Sequence, residues 1–168
     1  MQIAEKHIHA ENYKRKIKMI DEKAIRKIVE QVVSQKLGDN LCQGQVLDES
    51  EGFRKVKDPS GILKIAQSTV KCEPFEQDGV SLKDVTTLEE APHMGCGIME
   101  LDNTAFEWTL TYDEYDIVLE GTLEIEIDGR VLKACPGEII YIPKNSHIHF
   151  QTPDHTRYVY VTYPADWQ

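Results

Sequence analysis

The 168-residue chain contains no apolar run of about eighteen residues, so no membrane-crossing helix is expected. Its first residues, MQIAEKHIHAENYKRK, hold no apolar centre fit for a secretion signal, and a cytoplasmic protein is expected. Basic residues are scarce, 19 against 29 acids, for a net charge of −10. That sign repels phosphate backbones and anionic lipid surfaces, which excludes broad nucleic-acid or membrane-surface binding. The four cysteines, Cys42, Cys72, Cys96 and Cys135, form no C-x-x-C pair and no structural-zinc spacing. They read as reduced, mostly buried thiols. Also missing are a glycine-rich phosphate loop, a dinucleotide fingerprint, a nucleophile elbow and an H-E-x-x-H helix. No internal repeat or low-complexity linker appears.

What remains has two textures. Residues 21–37, within MIDEKAIRKIVEQVVSQKL, predict an amphipathic helix. Ile25, Ile28, Val29, Val32 and Val33 fall at i, i+3, i+4, i+7 and i+8, one stripe on a 3.6-residue period. Asp21 suits the N-cap, Lys36 the last turn and Gly38 the stop. Residues 1–18 carry a basic cluster without periodicity, and residues 38–52 read as a connector. The expected organisation is an extension over 1–45 and a domain over 46–168. From residue 53 onward short β-type runs follow one another: FRKVK, ILKIAQSTVKC, GIMEL, AFEWTLT, EYDIVLE, LEIEID, RVLKA, EIIYI, HIHF and RYVYVTY. Asp128-Gly129 is a favoured two-residue hairpin turn. With no long helix between strands, an antiparallel sandwich or barrel is expected rather than a βαβ fold.

Glu114 followed by Gly121, then Gly137 followed by Pro143, resemble the paired signature of the cupins, small jelly-roll barrels. The resemblance covers about residues 50–165 and implies an all-β cupin-type jelly-roll barrel carrying an N-terminal amphipathic α-helical extension. A metal cupin adds three histidines to the glutamate. Counting along the signature, those slots fall on Glu107, Thr109 and Ile148, so Glu114 alone is kept. Imidazole suits the usual cupin ions, whereas this oxygen set suits a hard ion such as Mg²⁺, with Glu114 as its ligand. Histidines do occur at 147 and 149, but strand alternation sets Ile148 inward and both rings outward. His7 and His9 are read as solvated. Asp116 shares the inward parity of Glu114, and two carboxyls there could act as acid and base or recruit a cation. Glu107 and Thr109 could face them across the cavity, flanked by Trp108 and Tyr112 as pocket aromatics, although Glu107 and Asp116 could equally sit wet at the rim.

FEWTLTYDEYDIVLEG, GEIIYIPKNSHIHFQTP and VTYPADWQ together resemble the cupin domain of the EutQ family of ethanolamine-utilisation proteins. That resemblance implies residence in a bacterial microcompartment and acetate kinase activity, a phosphoryl transfer between acetyl phosphate and ADP with Mg²⁺. Helix 21–37 is similar to the short helices that load enzymes into such compartments, which implies shell proteins as partners, whereas packing on the barrel or in a dimer contact is its alternative. The cupin resemblance also implies a homodimer. Three functions stay open: a phosphotransferase, a non-catalytic assembly or adaptor protein, and a metal-dependent isomerase or dioxygenase.

Overall fold

Period-two alternation governs the chain from residue 55 onward, and it builds strands with one apolar and one wet face. The computed structural model describes residues 51–167 together with Ile25 and Val29. In chain order the strands are β1 (Lys55–Lys57), β2 (Leu63–Ile65), β3 (Glu73–Pro74), β4 (Val80–Asp84), β5 (Gly95–Asp102) and β6 (Ala105–Thr109). They continue as β7 (Asp113–Gly121), β8 (Leu123–Ile127), β9 (Arg130–Ala134), β10 (Ile139–Ile142), β11 (His147–Gln151) and β12 (His155–Tyr163). A six-stranded sheet runs β10-β7-β12-β5-β4-β3, a four-stranded sheet runs β6-β11-β8-β9, and β1 pairs with β2. Every pairing is antiparallel. The expected jelly-roll barrel is what forms.

The inner faces of the two larger sheets supply one core, in which Leu101, Val118, Leu123, Ile148, Phe150 and Tyr158 are buried. A smaller apolar cluster of Phe53, Val70, Val85 and Ile98 lies on the outer side of β5, where residues 53–72 cover the six-stranded sheet. Two buried cations fasten this cover. Arg157 pairs with Glu100 and donates to the carbonyls of Gln67 and Val70, each at 3.0 Å. Lys55 reaches Glu90 at 2.7 Å and Glu51 at 3.0 Å. A buried cation is tolerated when carboxylates and carbonyls replace its lost water.

Turn chemistry behaves as the sequence suggests. Asp128 and Gly129 hold φ of 51° and 74°, which joins β8 to β9 through a two-residue hairpin. Two expectations need correcting. ILKIAQSTVKC is not one strand: β2 stops at Ile65, a single 3-10 turn occupies Gln67–Thr69, and β3 begins at Glu73. VSLKD, absent from the expected strands, forms β4 because β5 offers it a ladder from Leu101 to Gly97. Cysteine burial is also less than expected, since Cys135 is exposed and Cys72 and Cys96 are half-buried.

The chain divides into two compact units, Met1–Gln45 and Val46–Gln168. In the first, Ile25 and Val29 are helical, four residues apart and so on one face. Both are open to solvent, at 46% and 53%. Ile28, Val32, Val33, His7, His9 and Cys42 lie outside the described residues.

Replacing Arg157 with alanine leaves Glu100 and two carbonyls without their donor. Stability should fall by about 3 kcal/mol or more in urea unfolding. A change under about 0.5 kcal/mol would remove Arg157 as the fastener of the 53–72 cover.

Candidate functional site

The register between β7, β12 and β5 lays the inner face out in rows. Glu114 stands opposite Thr162, which stands opposite Gly95. One step along, Asp116 faces Tyr160, which faces Gly97, which faces Asp84 on β4. The glycine decides that second row. A Cβ at Gly97 would sit 2.1 Å from the Tyr160 ring, so only glycine lets the ring lie across β5. Its hydroxyl then donates to Asp84 Oδ1 at 2.6 Å.

These rows floor a small chamber walled by Phe75, Met99, Phe106, Trp108, Tyr112 and Trp167, with Glu114 in its lining. Its free space is about 20 Å³, room for about one water. Trp108 Nε1 donates to Tyr112 Oη at 2.8 Å. Trp167 arrives from the tail beyond β12 and packs on Tyr160, Tyr112 and Phe75 at centroid distances of 5.7, 6.2 and 6.3 Å. The chamber lining is apolar except for the Glu114 carboxyl, the phenols of Tyr112 and Tyr160 and the two indole N–H groups, and Asp116 lies behind it, fully buried.

Glu114 and Asp116 are 4% and 0% exposed, and among the described residues no arginine or lysine faces them. Burial pushes the Glu114 carboxyl up to about 7. Burial, then the charge of Glu114, holds Asp116 well above the ordinary carboxylate range. Neither Asp116 oxygen finds a donor among its neighbours, and the Thr162 hydroxyl beside them is also unpartnered. A proton shared between the two carboxyls satisfies both observations, because it supplies the missing donor and halves the buried charge. Chemically the pair is a proton donor and acceptor held near neutrality.

The inward assignment of Glu114 and Asp116 therefore matches the structure, as does that of Ile148, which is 1% exposed. His147 and His149 face outward as expected. Glu107 and Thr109 do not join the pair. Cross-strand partners share a face, and Thr109 lies opposite His147 while Glu107 lies opposite His149. All four stand on the wet side. His147 is bracketed there by Glu107 at 2.7 Å and by the Thr109 hydroxyl at 2.7 Å, and His149 meets Glu126 at 2.8 Å. The inward residues are Phe106, Trp108 and Leu110, so the slots for two cupin histidines are filled by Trp108 and Leu110, one residue beyond the counted positions. Trp108 and Tyr112 do wall the chamber.

Sequence reasoning missed Asp84, Tyr160, Thr162 and Trp167. The alternation in RYVYVTY marks Tyr158, Tyr160 and Thr162 as one face, which was the available signal; Asp84 and Trp167 had none, because their places depend on pairings across the chain. The residues present do not fit a cupin metal ion. Three of its four donor positions hold an indole and two hydrocarbon chains, and among the described residues no three His, Cys, Asp or Glu side chains stand together as ligands. Nothing in the mechanism can be routed through such an ion.

Comparison with known proteins gives a consistent neighbourhood. A family model described as ethanolamine utilisation protein EutQ matches residues 20–168. A Clostridioides difficile protein named acetate kinase EutQ is 44% identical over 158 residues, which cover 90% of this chain and 96% of that one. A Salmonella typhimurium protein of the same name is 37% identical over 88% of this chain, but only 63% of its own length is spanned. The solved Clostridium difficile EutQ structure is 51% identical with a TM-score of 0.66, over 69% of this chain and 90% of that one. The polyketide cyclase RemF from Streptomyces resistomycificus shares the fold alone, at 19% identity and a TM-score of 0.55, over 62% and 80% of the two chains.

The carboxyl pair carries a pH-dependent cost. Glu114 titrates near 7 when folded and from an ordinary 4.5 when unfolded, so the folded chain binds more protons between those values and loses stability as pH rises through them. Relative to the parent, Glu114→Gln should therefore be more stable in urea unfolding at pH 8, by about 3 kcal/mol, and lose that advantage at pH 4. An offset that is the same at both pH values would rule out the buried titration.

Proposed function

The chain belongs to the EutQ family of ethanolamine-utilisation proteins, and on that premise we propose that it is an acetate kinase acting in a bacterial microcompartment. The supporting observation is its similarity along 96% of a relative named acetate kinase EutQ. In the reaction the acyl oxygen–phosphorus bond of acetyl phosphate breaks, a bond forms to the terminal phosphate of ADP, and acetate leaves. Mg²⁺ arrives with the nucleotide and offsets the charge of its phosphates. In this reading Glu114 and Asp116 do the work of the chain's own residues. A carboxyl that stays protonated near neutral pH accepts an anionic group beside it and donates a hydrogen bond to the departing carboxylate. The chamber is far smaller than a nucleotide, so ADP stands outside the barrel and the Trp167 segment moves to admit the acetyl end.

ATP formation from acetyl phosphate and ADP, followed in a coupled assay, tests this. Glu114→Gln and Asp116→Asn, each verified as folded by circular dichroism, should lower the rate by about a hundredfold. The parent rate should decline as pH rises above about 7, where the pair loses its proton. Unchanged rates in both variants would remove the pair from catalysis.

A second reading is favoured by two observations, the small volume of the chamber and the exposed Ile25 and Val29 face. Here the chain is an assembly protein whose helix seats in a groove of a shell protein. Co-purification with shell proteins should disappear in an Ile25→Glu/Val29→Glu double variant. Retained shell binding would exclude the helix as the contact.

A further inference from the structure

The walls of the chamber are not held alike. Met99, Phe106 and Trp108 stand on strands whose ladders fix them, and the Phe75 N–H donates to the Val80 carbonyl at 2.9 Å. Trp167 differs. Residues 164–167 follow β12 without entering a strand, and among the described residues no main-chain hydrogen bond ties them to the barrel. The tail lies where it does because β5 is bare beneath it. A Cβ at Gly95 would stand 3.3 Å from the Ala165 carbonyl oxygen and 3.5 Å from the Trp167 ring.

What holds Trp167 is the packing of its ring on Tyr160, Tyr112 and Phe75, and one hydrogen bond. Its Nε1 donates to Asp84 Oδ1 at 3.4 Å. Asp84 ends β4 with the inward parity of Val80 and Leu82, which brings its carboxylate beside the tail. The same Oδ1 accepts from Tyr160 at 2.6 Å. A single oxygen therefore joins a floor ring fixed on β12 to a wall whose backbone is untied.

We infer that Asp84 is the positioning residue of a gate: its carboxylate latches the Trp167 indole over the chamber, and release of that one bond lets the tail swing out. From the proposed function this takes only the point of entry, past Trp167. At 3.4 Å the bond is long and weak, so it parts while the short bond to Tyr160 holds. With Tyr160 still on Oδ1, the carboxylate keeps its place and offers the returning indole the same acceptor. A segment without backbone bonds opens by itself, leaving the barrel folded.

Trp108 and Trp167 are the chain's two tryptophans, so Trp108→Phe leaves the gate as the sole indole. Quenching by acrylamide, a small uncharged probe, then reads its exposure. In that background Asp84→Leu should raise the quenching constant about threefold. Asp84→Asn keeps a carbonyl acceptor and should stay near the parent, and so should Tyr160→Phe, which keeps the ring and removes only the other bond to Asp84. A rise in Tyr160→Phe as large as in Asp84→Leu would make Asp84 a support for Tyr160 and overturn the latch. Parent-like quenching in Asp84→Leu, or failure of Asp84→Asn to restore it, overturns it as well. Should Asp84→Leu not fold, hydrogen exchange in the Trp108→Phe protein decides. Protection of the Trp167 indole N–H at least about tenfold below that of the Tyr158 and Tyr160 amides supports a gate that opens alone. Equal protection means that Trp167 is released only when the barrel unfolds, and the gate is rejected. Neither measurement needs turnover. A chain that shows this pattern without acetate kinase activity keeps the gate and loses the phosphotransferase reading alone.

Discussion

The antiparallel register of β7 on β12, and of β12 on β5, is the constraint from which the interior follows. It sets two acids, a threonine, a tyrosine and two glycines into adjoining rows on one face. A one-residue slip would turn Glu114 and Asp116 out to water and bring Tyr115 and Ile117 in. Tyr160 could then no longer cross Gly97 to reach Asp84, and Trp167 would lose the ring on which its own sits. Packing, acidity and the chamber's outer wall are thus consequences of a single pairing rather than separate features.

Burying two carboxyls without a cation is expensive, and the barrel meets the expense by retaining protons. The surrounding phenols do not relieve it. Tyr160 spends its hydrogen on Asp84 and Tyr158 directs its own at Met99, while Tyr112 is the acceptor for Trp108. Acids buried without a cation in this way are a frequent mark of a site where function outweighs stability. Elsewhere the chain pairs its buried charges closely, as at Lys55 and Arg157. The contrast within one domain makes the acids without a cation the exception that calls for a role.

Much of this was legible in sequence wherever the governing rule is local. The cupin resemblance marked Glu114 and Ile148 as inward, strand alternation then put Asp116 inside and His147 and His149 outside, and Asp128-Gly129 announced its hairpin. The landmarks Glu114, Gly121, Gly137 and Pro143 pointed to the barrel, and Gly121 shows why its residue type matters. At φ 69° a side chain there would meet the His155 carbonyl at 1.8 Å. Reading failed where phase had to be carried across a loop. Glu107 and Thr109 were counted back from Glu114 through Leu110–Tyr112, and that connection does not preserve the assumed parity. It failed again for β4, Asp84 and Trp167, whose neighbours are set by contacts between residues some 80 positions apart, such as Asp84 with Trp167.

The outward pairing of His147 with Glu107 and Thr109 bears on how this barrel could ever acquire a transition metal. Histidines grafted at 107 and 109 would stand in water on the far side of the sheet from Glu114. Imidazoles would have to replace Trp108, Leu110 and Ile148, and each of those exchanges removes a large apolar group from the packed interior. Metal chemistry and the present core are therefore competing uses of the same three positions, and this sequence has chosen hydrocarbon.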